Sequence, residues 1–404
     1  MATTQAGTRN VASTMWWPET GRATHAVIDL DAIRDNVLAV QRSVAPAGVI
    51  AVVKANAYGH GAVMVAEAAV EAGAVMLAVS AVDEGIELRD GGITARILVM
   101  APAGPAEYAD AFEHGLTLSL AEPEQVLLAA RAADELAHSG RVQIKVDTGM
   151  RRYGAEPRAV VSLARRILTC PRLQLTGIYS HFADADGDDP AFTDGQLARF
   201  QAVAAELETA GIEPGLVHCA NTAGTIRLSP SGHSAVRLGI GLYGLRPDER
   251  VPLLPGMRQA LTLRTRVAQI RTLLAGDTVS YGRTYTADRP EITALLPIGY
   301  ADGLRRAVSG RGWVDINGAR ASIRGRVCMD QVVVGGCDDS VRTGDPVVVF
   351  GDGSDAAPTL SEVARLASTI NYEIATGIAQ RVPRWYLRDG QPVALLRGSR
   401  LLRL

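Results

Sequence analysis

Residues 49–61 run Val49-Ile50-Ala51-Val52-Val53-Lys54-Ala55-Asn56-Ala57-Tyr58-Gly59-His60-Gly61. The first five are apolar and mostly β-branched, the pattern of a strand buried on both faces. The strand stops at a lysine, and a polar turn flanked by glycines leads into a helix. The same phrase recurs along the first half of the chain. Strand-like runs fall at Ala26–Leu30, Val49–Val53, Met76–Ser80, Ile97–Met100, Leu116–Leu120, Val142–Val146, Leu175–Tyr179, Leu216–Cys219 and Val236–Ile240. Helix-like stretches lie between them, among them Asp31–Val44, which opens on a good N-cap residue, Pro123–His138, Pro157–Leu168 and Asp194–Ala210. Alternation of this length predicts parallel strands covered by helices. About eight such units favour a closed (β/α)8 TIM-like barrel over an open doubly wound sheet.

The pattern changes near Pro252-Leu253-Leu254-Pro255. Strands then dominate: Leu261–Leu274, Ile292–Pro297, Trp313–Ile316, Ala321–Cys328, Val332–Val334 and Pro346–Phe350, with one clear helix at Ser361–Ile370. The expected class is therefore α/β: a flexible N-terminal tail over 1–23, a barrel over 24–254 and a C-terminal β-rich domain over 255–404. A chain of 404 residues, 47% hydrophobic, can bury cores of this size, although only 5% of it is aromatic. A net charge of -2 gives no electrostatic case for nucleic acid or a membrane surface. Cys170, Cys219, Cys328 and Cys337 show neither metal-type nor disulfide-scaffold spacing. No metal site is expected, and a reducing cytoplasm fits the cysteines. The first residues, with Trp16-Trp17-Pro18, lack the apolar centre of a signal peptide, and no apolar run is long enough to span a membrane.

In a barrel of this kind chemistry sits beyond the C-terminal ends of the strands. Several predicted strands end there in polar groups: Lys54 through Gly61; Lys145 with Asp147-Thr148-Gly149-Met150-Arg151-Arg152; Ser180-His181; His218-Cys219-Ala220-Asn221-Thr222; and Arg237 with Gly239-Ile240-Gly241. Taken singly, each has two readings. Lys54 is either a lysine snorkelling at a strand end or a desolvated amine suited to Schiff-base chemistry. Arg237, which cannot deprotonate, is either half of a structural ion pair or a ligand contact. His181 shares a strand face with Tyr179 and is either a core histidine or a site residue. Tyr58, His60 and the Gly239–Gly241 loop are either ordinary turn chemistry or an anion cradle. In the second domain Tyr281, Tyr300 and Tyr372 sit in polar segments, Tyr281 and Tyr300 beside glycines. They are either loop anchors or, for one of them, a base whose phenolate needs strong stabilisation, because free tyrosine titrates near 10. Cys219 and Cys328 fit small apolar packing.

Together these segments resemble the alanine racemase family. The stretch Ala51–Gly61 is similar to that family's attachment motif for pyridoxal 5'-phosphate (PLP), and further matches follow in family order. They are Lys145–Met150, Ser180-His181-Phe182, His218–Asn221, Arg237–Ile240, Val279–Gly282, Gly299–Gly303, Cys328–Gln331 and Ile370–Glu373. The resemblance implies PLP held covalently by Lys54, with Tyr58, Thr222, Gly239, Ile240 and Tyr372 at its phosphate and Asn221 nearby. Thr222 stands where the family often has serine. It also implies Arg237 at the pyridine nitrogen, His181 against the ring and Arg152 toward the substrate carboxylate. Lys145 matches a lysine that is carbamylated in the family. Two bases on opposite faces are implied, Lys54 and Tyr281, with Tyr281, Tyr300 and Met329 supplied by the partner subunit of a homodimer with shared active sites.

The implied activity is interconversion of L- and D-alanine, supplying D-alanine for peptidoglycan in the cytoplasm. Serine-preferring or broader racemases of the same family are alternatives, as are PLP barrel decarboxylases and, in another class, non-catalytic PLP-binding proteins. The decarboxylases lack the pairing of Arg237 with Tyr281, and the non-catalytic proteins are usually single barrels. The family commonly has an uncharged residue where this chain has Arg151, so either Arg151 or Arg152 meets the carboxylate.

Overall fold

The computed structural model describes residues 21–228 and 233–404. They form two compact units, one from Leu30 to Gln259 and one joining the segment up to Asp29 with Ala260–Leu404. The sequence offers one strand too many for the barrel, and the surplus lies at the N-terminus. Strand β1 (His25–Asp29) pairs antiparallel with Leu261–Arg266 (Val27 opposite Thr262) and parallel with Arg384–Arg388 (Val27 opposite Trp385). The expectation that Ala26–Leu30 opens the barrel is thus corrected. An apolar run declares that it is buried, not which sheet buries it. The boundaries move accordingly, from 24 and 254/255 to Asp29/Leu30 and Gln259/Ala260. Of the tail expected over 1–23, residues 1–20, including Trp16-Trp17-Pro18, lie outside the described residues. Arg22, near the tail's end, is anchored to the buried Asp302 at 2.6 Å.

The first unit holds eight parallel strands: β2 (Gly48–Val52), β3 (Met76–Val79), β4 (Ile97–Val99), β5 (Thr117–Leu120), β6 (Gly140–Lys145), β7 (Leu173–Tyr179), β8 (Leu216–His218) and β9 (Ala235–Leu238). The order runs β8 to β2 in reverse sequence and then β9, which pairs with β2 (Ile50 opposite Arg237). Two backbone bonds join β8 and β9: Ser234 N–H to Val217 C=O at 2.8 Å and Arg237 N–H to Ala220 C=O at 2.9 Å. These bonds bring the two ends of the sheet together into a nearly closed barrel, in line with the alternating pattern. Helices follow the strands, and β3, β4, β5 and β9 are buried at every position. The helix Leu30–Val44 opens the unit, and its buried Asn36 fastens the chain's exit by bonds to Leu242 C=O, Arg258 C=O and Arg258 N–H at 2.8–3.0 Å. Gly244, at φ +67, passes so close to Arg258 that a Cβ would lie 1.8 Å from its carbonyl oxygen.

The second unit is built on an eleven-stranded sheet in which β1 is an interior strand, eighth in order. The run expected as one strand, Leu261–Leu274, is two, Leu261–Arg266 and Gln269–Leu273. They occupy different places in the sheet, the second beside Glu291–Leu296. The run Ala321–Cys328 is a strand only over Ala319–Arg324, because Gly325 turns the chain at φ +70. The expected helix Ser361–Ile370 spans Leu360–Leu366, opened by a reciprocal Thr359–Glu362 cap.

Candidate active site

Lys54 stands at the rim of β2. The next four residues, none of them glycine, turn left-handed: Ala55, Asn56, Ala57 and Tyr58 have φ of 52, 53, 51 and 51. Each costs roughly 1–2 kcal/mol, and strain of this kind collects where a chain must present a particular group. Hydrogen bonds hold the turn: Ala57 N–H to Val53 C=O (2.8 Å), Gly59 N–H to Ala55 C=O (3.0 Å), Gly61 N–H to Asn56 C=O (2.9 Å) and Ala62 N–H to Asn56 Oδ1 (2.8 Å). Ala55 N–H itself donates to Glu84 Oε1 at 2.6 Å. Partial burial, and then the charge of Arg152, bring the Lys54 amine below its ordinary range, while Glu84 opposes the shift.

Deeper in the barrel Arg237 is almost fully buried, and it has no carboxylate partner among its hydrogen bonds. The structural ion pair that its place in an apolar strand allowed is therefore not what holds it. Nη1 donates to His218 Nδ1 (2.7 Å) and His218 C=O (3.3 Å). Nη2 donates to Ser180 C=O (2.6 Å), Cys219 C=O (2.8 Å) and His181 Nδ1 (3.0 Å). A guanidinium has no lone pair to offer, so both histidines must accept at Nδ1 and carry their proton on Nε2. His218 passes that proton's bond to Gln143 Oε1 at 2.9 Å. Burial, with the charge of Arg237, keeps both imidazoles neutral, far below their ordinary titration range. These contacts engage Nη1 and Nη2 and leave Nε–H as the donor for a ligand.

Lys145, at the end of β6, is 5% exposed and packs between rings, its Nζ 5.5 Å from the centroid of Tyr179 and 5.9 Å from that of Tyr153. Burial, then Arg237 and Arg152, push its amine down to about 8. Four cations, Arg237, Lys145, Arg152 and Lys54, all act on His181. Such a cluster is suited to anions. The two adjacent arginines part company: exposed Arg151 pairs with Glu156 at 2.9 Å, whereas Arg152 is the one whose charge Lys54, Lys145 and His181 feel.

The third element is a cradle at the ends of β8 and β9. Thr222 Oγ1 accepts from Gly239 N–H (3.1 Å) and Gly241 N–H (3.3 Å), which leaves its own O–H to donate onward. A Cβ on Gly239 would lie 3.2 Å from the Tyr58 hydroxyl and 3.8 Å from Thr222 Oγ1, so the space between these groups exists because residue 239 has no side chain. The buried Tyr58 phenol is pushed up to about 12 and stays protonated. Its ring lies 4.9 Å from that of Tyr243, whose hydroxyl is anchored on Val52 C=O at 2.8 Å. Asn221 caps the short helix Thr222–Arg227 through Gly224 N–H (2.9 Å), and Ile240 is buried in the following turn. Lys54, Tyr58, Lys145, Arg152, His181, Asn221, Thr222, Arg237, Gly239 and Ile240 thus all belong to one unit, at strand ends and the loops that follow. Sequence reasoning missed Glu84, Gln143 and Gln196. The last bonds His181 C=O (3.1 Å) and Ala183 N–H (2.8 Å) from the helix Ala191–Thr209.

Tyr281, Tyr300, Met329 and Tyr372 belong to the other unit. The first three sit on loops laced together: Ser280 Oγ bonds Arg326 C=O (2.8 Å), Tyr300 N–H bonds Cys328 C=O (3.0 Å), and Ala301 N–H bonds Met329 C=O (3.0 Å). Ser280 is left-handed at φ +65 and turns Tyr281 outward. Tyr281, Tyr300 and Met329 are 73%, 43% and 53% exposed, an unusual expenditure of large apolar groups. Tyr372 is half-buried in the helix Asn371–Thr376. Among the described residues no helix is long and apolar enough to cross a membrane.

Comparison with known proteins matches two families in tandem: residues 28–247 match the alanine racemase N-terminal domain and residues 260–386 the alanine racemase C-terminal domain. The chain is 44% identical over 367 residues to an alanine racemase of Symbiobacterium thermophilum, covering 90% of this chain and 97% of that one. It is 39% identical to alanine racemase 2 of Bacillus subtilis, covering 90% and 94% of the two chains. Among solved structures, the alanine racemase of Bacillus anthracis with bound L-Ala-P superposes with a TM-score of 0.88 at 39% identity, covering 94% and 99%. That of a D-cycloserine-producing Streptomyces lavendulae gives 0.86 at 38%, covering 92% and 98%.

Proposed function

This chain belongs to the alanine racemase family, and from that premise we propose that it interconverts L- and D-alanine with PLP, using Lys54 and the partner subunit's copy of Tyr281 as its two bases. It is an amino-acid racemase, an isomerase. The observation that carries the finer reading is the arrangement of three different recognition elements in one unit: a desolvated amine at Lys54, a guanidinium donor at Arg237 and the Thr222–Gly239–Tyr58 cradle.

These residues fit PLP. The cradle has room where a Cβ would otherwise stand, and two hydroxyl groups beside it, as a phosphate needs. Lys54 would hold the aldehyde carbon, Arg237 Nε–H would face the ring nitrogen, and His181 would lie against the ring. Asn221 and Ile240 shape the phosphate loop. When bound, PLP supplies an electron sink that acidifies the substrate Cα–H.

The protein's own part is positioning and proton handling. Lys54 takes or returns the Cα proton on one face, that of the D-enantiomer, and its depressed basicity brings it nearer neutral pH. Tyr281 serves the opposite face. Its high exposure, with that of Tyr300 and Met329, supports a homodimer in which these residues complete the neighbour's site. Arg152 meets the substrate carboxylate. A guanidinium does not give up its proton, so Arg237 would donate a hydrogen bond to the ring nitrogen without protonating it. The neutral amine of Lys145 adds to carbon dioxide, its nitrogen bonding the carbon and one N–H proton passing to solvent, and the resulting carbamate anion pairs with Arg152. We extend the reading to supply of D-alanine for peptidoglycan in the cytoplasm.

The test is chiral separation of products after incubation of PLP-loaded enzyme with L-alanine, D-alanine or L-serine. Alanine enantiomers approaching an equal mixture from either side support the reading. Faster turnover of serine would move the substrate, and carbon dioxide release without inversion would replace racemisation by decarboxylation.

A further inference from the structure

Glu84 is the third residue of the helix Val82–Asp90, which follows β3. One carboxylate oxygen does what a glutamate at that position ordinarily does: Oε2 accepts Ser80 N–H (2.7 Å) and Ala81 N–H (3.1 Å), closing the start of its own helix. The other oxygen leaves the helix. Oε1 accepts Ala55 N–H at 2.6 Å, at the peptide joining Lys54 to the left-handed turn. The two strand ends that Glu84 bridges are already in register, since Val53 N–H bonds Ala78 C=O at 2.9 Å. Lys54 is therefore held on its N-terminal side by the sheet and on its C-terminal side by a carboxylate.

No bond within the turn replaces this one. The turn's other amides find Val53, Ala55, Ala57 and Asn56, all local, whereas Ala55 N–H is taken by a residue from the neighbouring β/α unit. A backbone held at φ near +52 over consecutive non-glycine residues needs such outside support. We propose that Glu84 is a positioning residue for Lys54, fixing the peptide that carries the amine so that its nitrogen meets the Cα proton on one face of the substrate. The role rests on the two-base reading above. Its signature is directional, because Lys54 serves one enantiomer and Tyr281 the other.

The experiment compares PLP-loaded parent, Glu84→Gln and Glu84→Asp. Glutamine keeps the shape but turns one acceptor into a donor. Aspartate keeps the charge but is one methylene short, so its carboxylate draws back from Ala55 N–H. For both variants kcat is expected to fall about tenfold or more with KM within about threefold, the mark of misplacement and not of lost binding. The Cα-deuterium isotope effect on kcat/KM should rise with D-alanine, as proton removal by Lys54 becomes slower, and should not rise with L-alanine. A purely structural role would lower the melting temperature and leave both isotope effects at the parent's values, and that result overturns the proposal. Parent-like kcat in the aspartate variant overturns it too. If glutamine prevents folding, the aspartate variant alone decides. Borohydride reduction of the parent separates the two failures. With an adduct on Lys54, unchanged isotope effects remove only the role of Glu84; without one, the reading of the site falls and this role with it.

Discussion

Replacing Lys145 by methionine removes a charge from a buried site and keeps its length. The amine is pushed from its usual 10.5 down to about 8, by burial first and then by Arg237 and Arg152. A lysine whose folded-state pKa is lowered destabilises the fold wherever the folded protein must carry the proton. Well below pH 8 that cost is complete, on the order of 3 kcal/mol for a fall from 10.5 to about 8. It shrinks as pH rises past 8 and disappears above the unfolded value near 10.5. In buffer free of carbon dioxide Lys145→Met should therefore be more stable than the parent by up to about 3 kcal/mol at pH 6, with the gain fading toward pH 10. Urea midpoints across that range, at fixed protein concentration, measure it. Bicarbonate adds a second arm. A carbamate formed only in the folded state stabilises the parent by mass action and leaves the methionine variant unmoved. A stability difference that does not change with pH would refute the reasoning about the buried amine. A parent indifferent to bicarbonate would refute the carbamate.

The pair Arg151 and Arg152 should behave oppositely. Arg151→Gly relieves a left-handed φ of +56 and loses only an exposed ion pair, so racemase activity should stay within about twofold of the parent. Arg152→Ala should lower kcat/KM by about tenfold or more in steady-state assays, as expected for losing a charge-assisted contact. Thr222→Val strips the acceptor from two amides and a donor from the cradle. PLP should bind about ten- to a hundredfold more weakly by absorbance titration, the loss that one or two unsatisfied buried groups bring. Mixed Lys54→Ala and Tyr281→Ala subunits should recover about a quarter of parental activity after exchange, since half the dimers then hold one intact site of two. No recovery after demonstrated exchange would argue against a shared site.

The barrel was legible because most of its strands are short apolar runs, such as Gly48–Val52 and Met76–Val79, that end where glycine or a polar group interrupts them. The home of β1 was not, because its partners, such as Thr262 and Trp385, lie in the distant C-terminal part of the chain. The strands Arg384–Arg388 and Gln391–Arg397 escaped notice because arginines and a proline break up their apolar pattern. At the site the strand-end lysine, arginine and glycines stood out by position. The left-handed turn did not: Ala55, Ala57 and Tyr58 carry no preference for positive φ, and only the flanking Gly59 and Gly61 hinted at unusual backbone. Arg237 seemed to need a carboxylate, whereas carbonyls and two imidazoles from the ends of β7 and β8 and the residues just after them hold it. Glu84 went unnoticed because its second bond depends on how neighbouring β/α units pack.

Sodium borohydride reduction of the PLP-loaded enzyme, followed by peptide mapping, bears most directly on the account. The predicted result is one stable pyridoxyl group on the peptide carrying Lys54, and none on Lys145. A pyridoxyl group on another lysine, or no covalent label in an enzyme that racemises alanine, would contradict it.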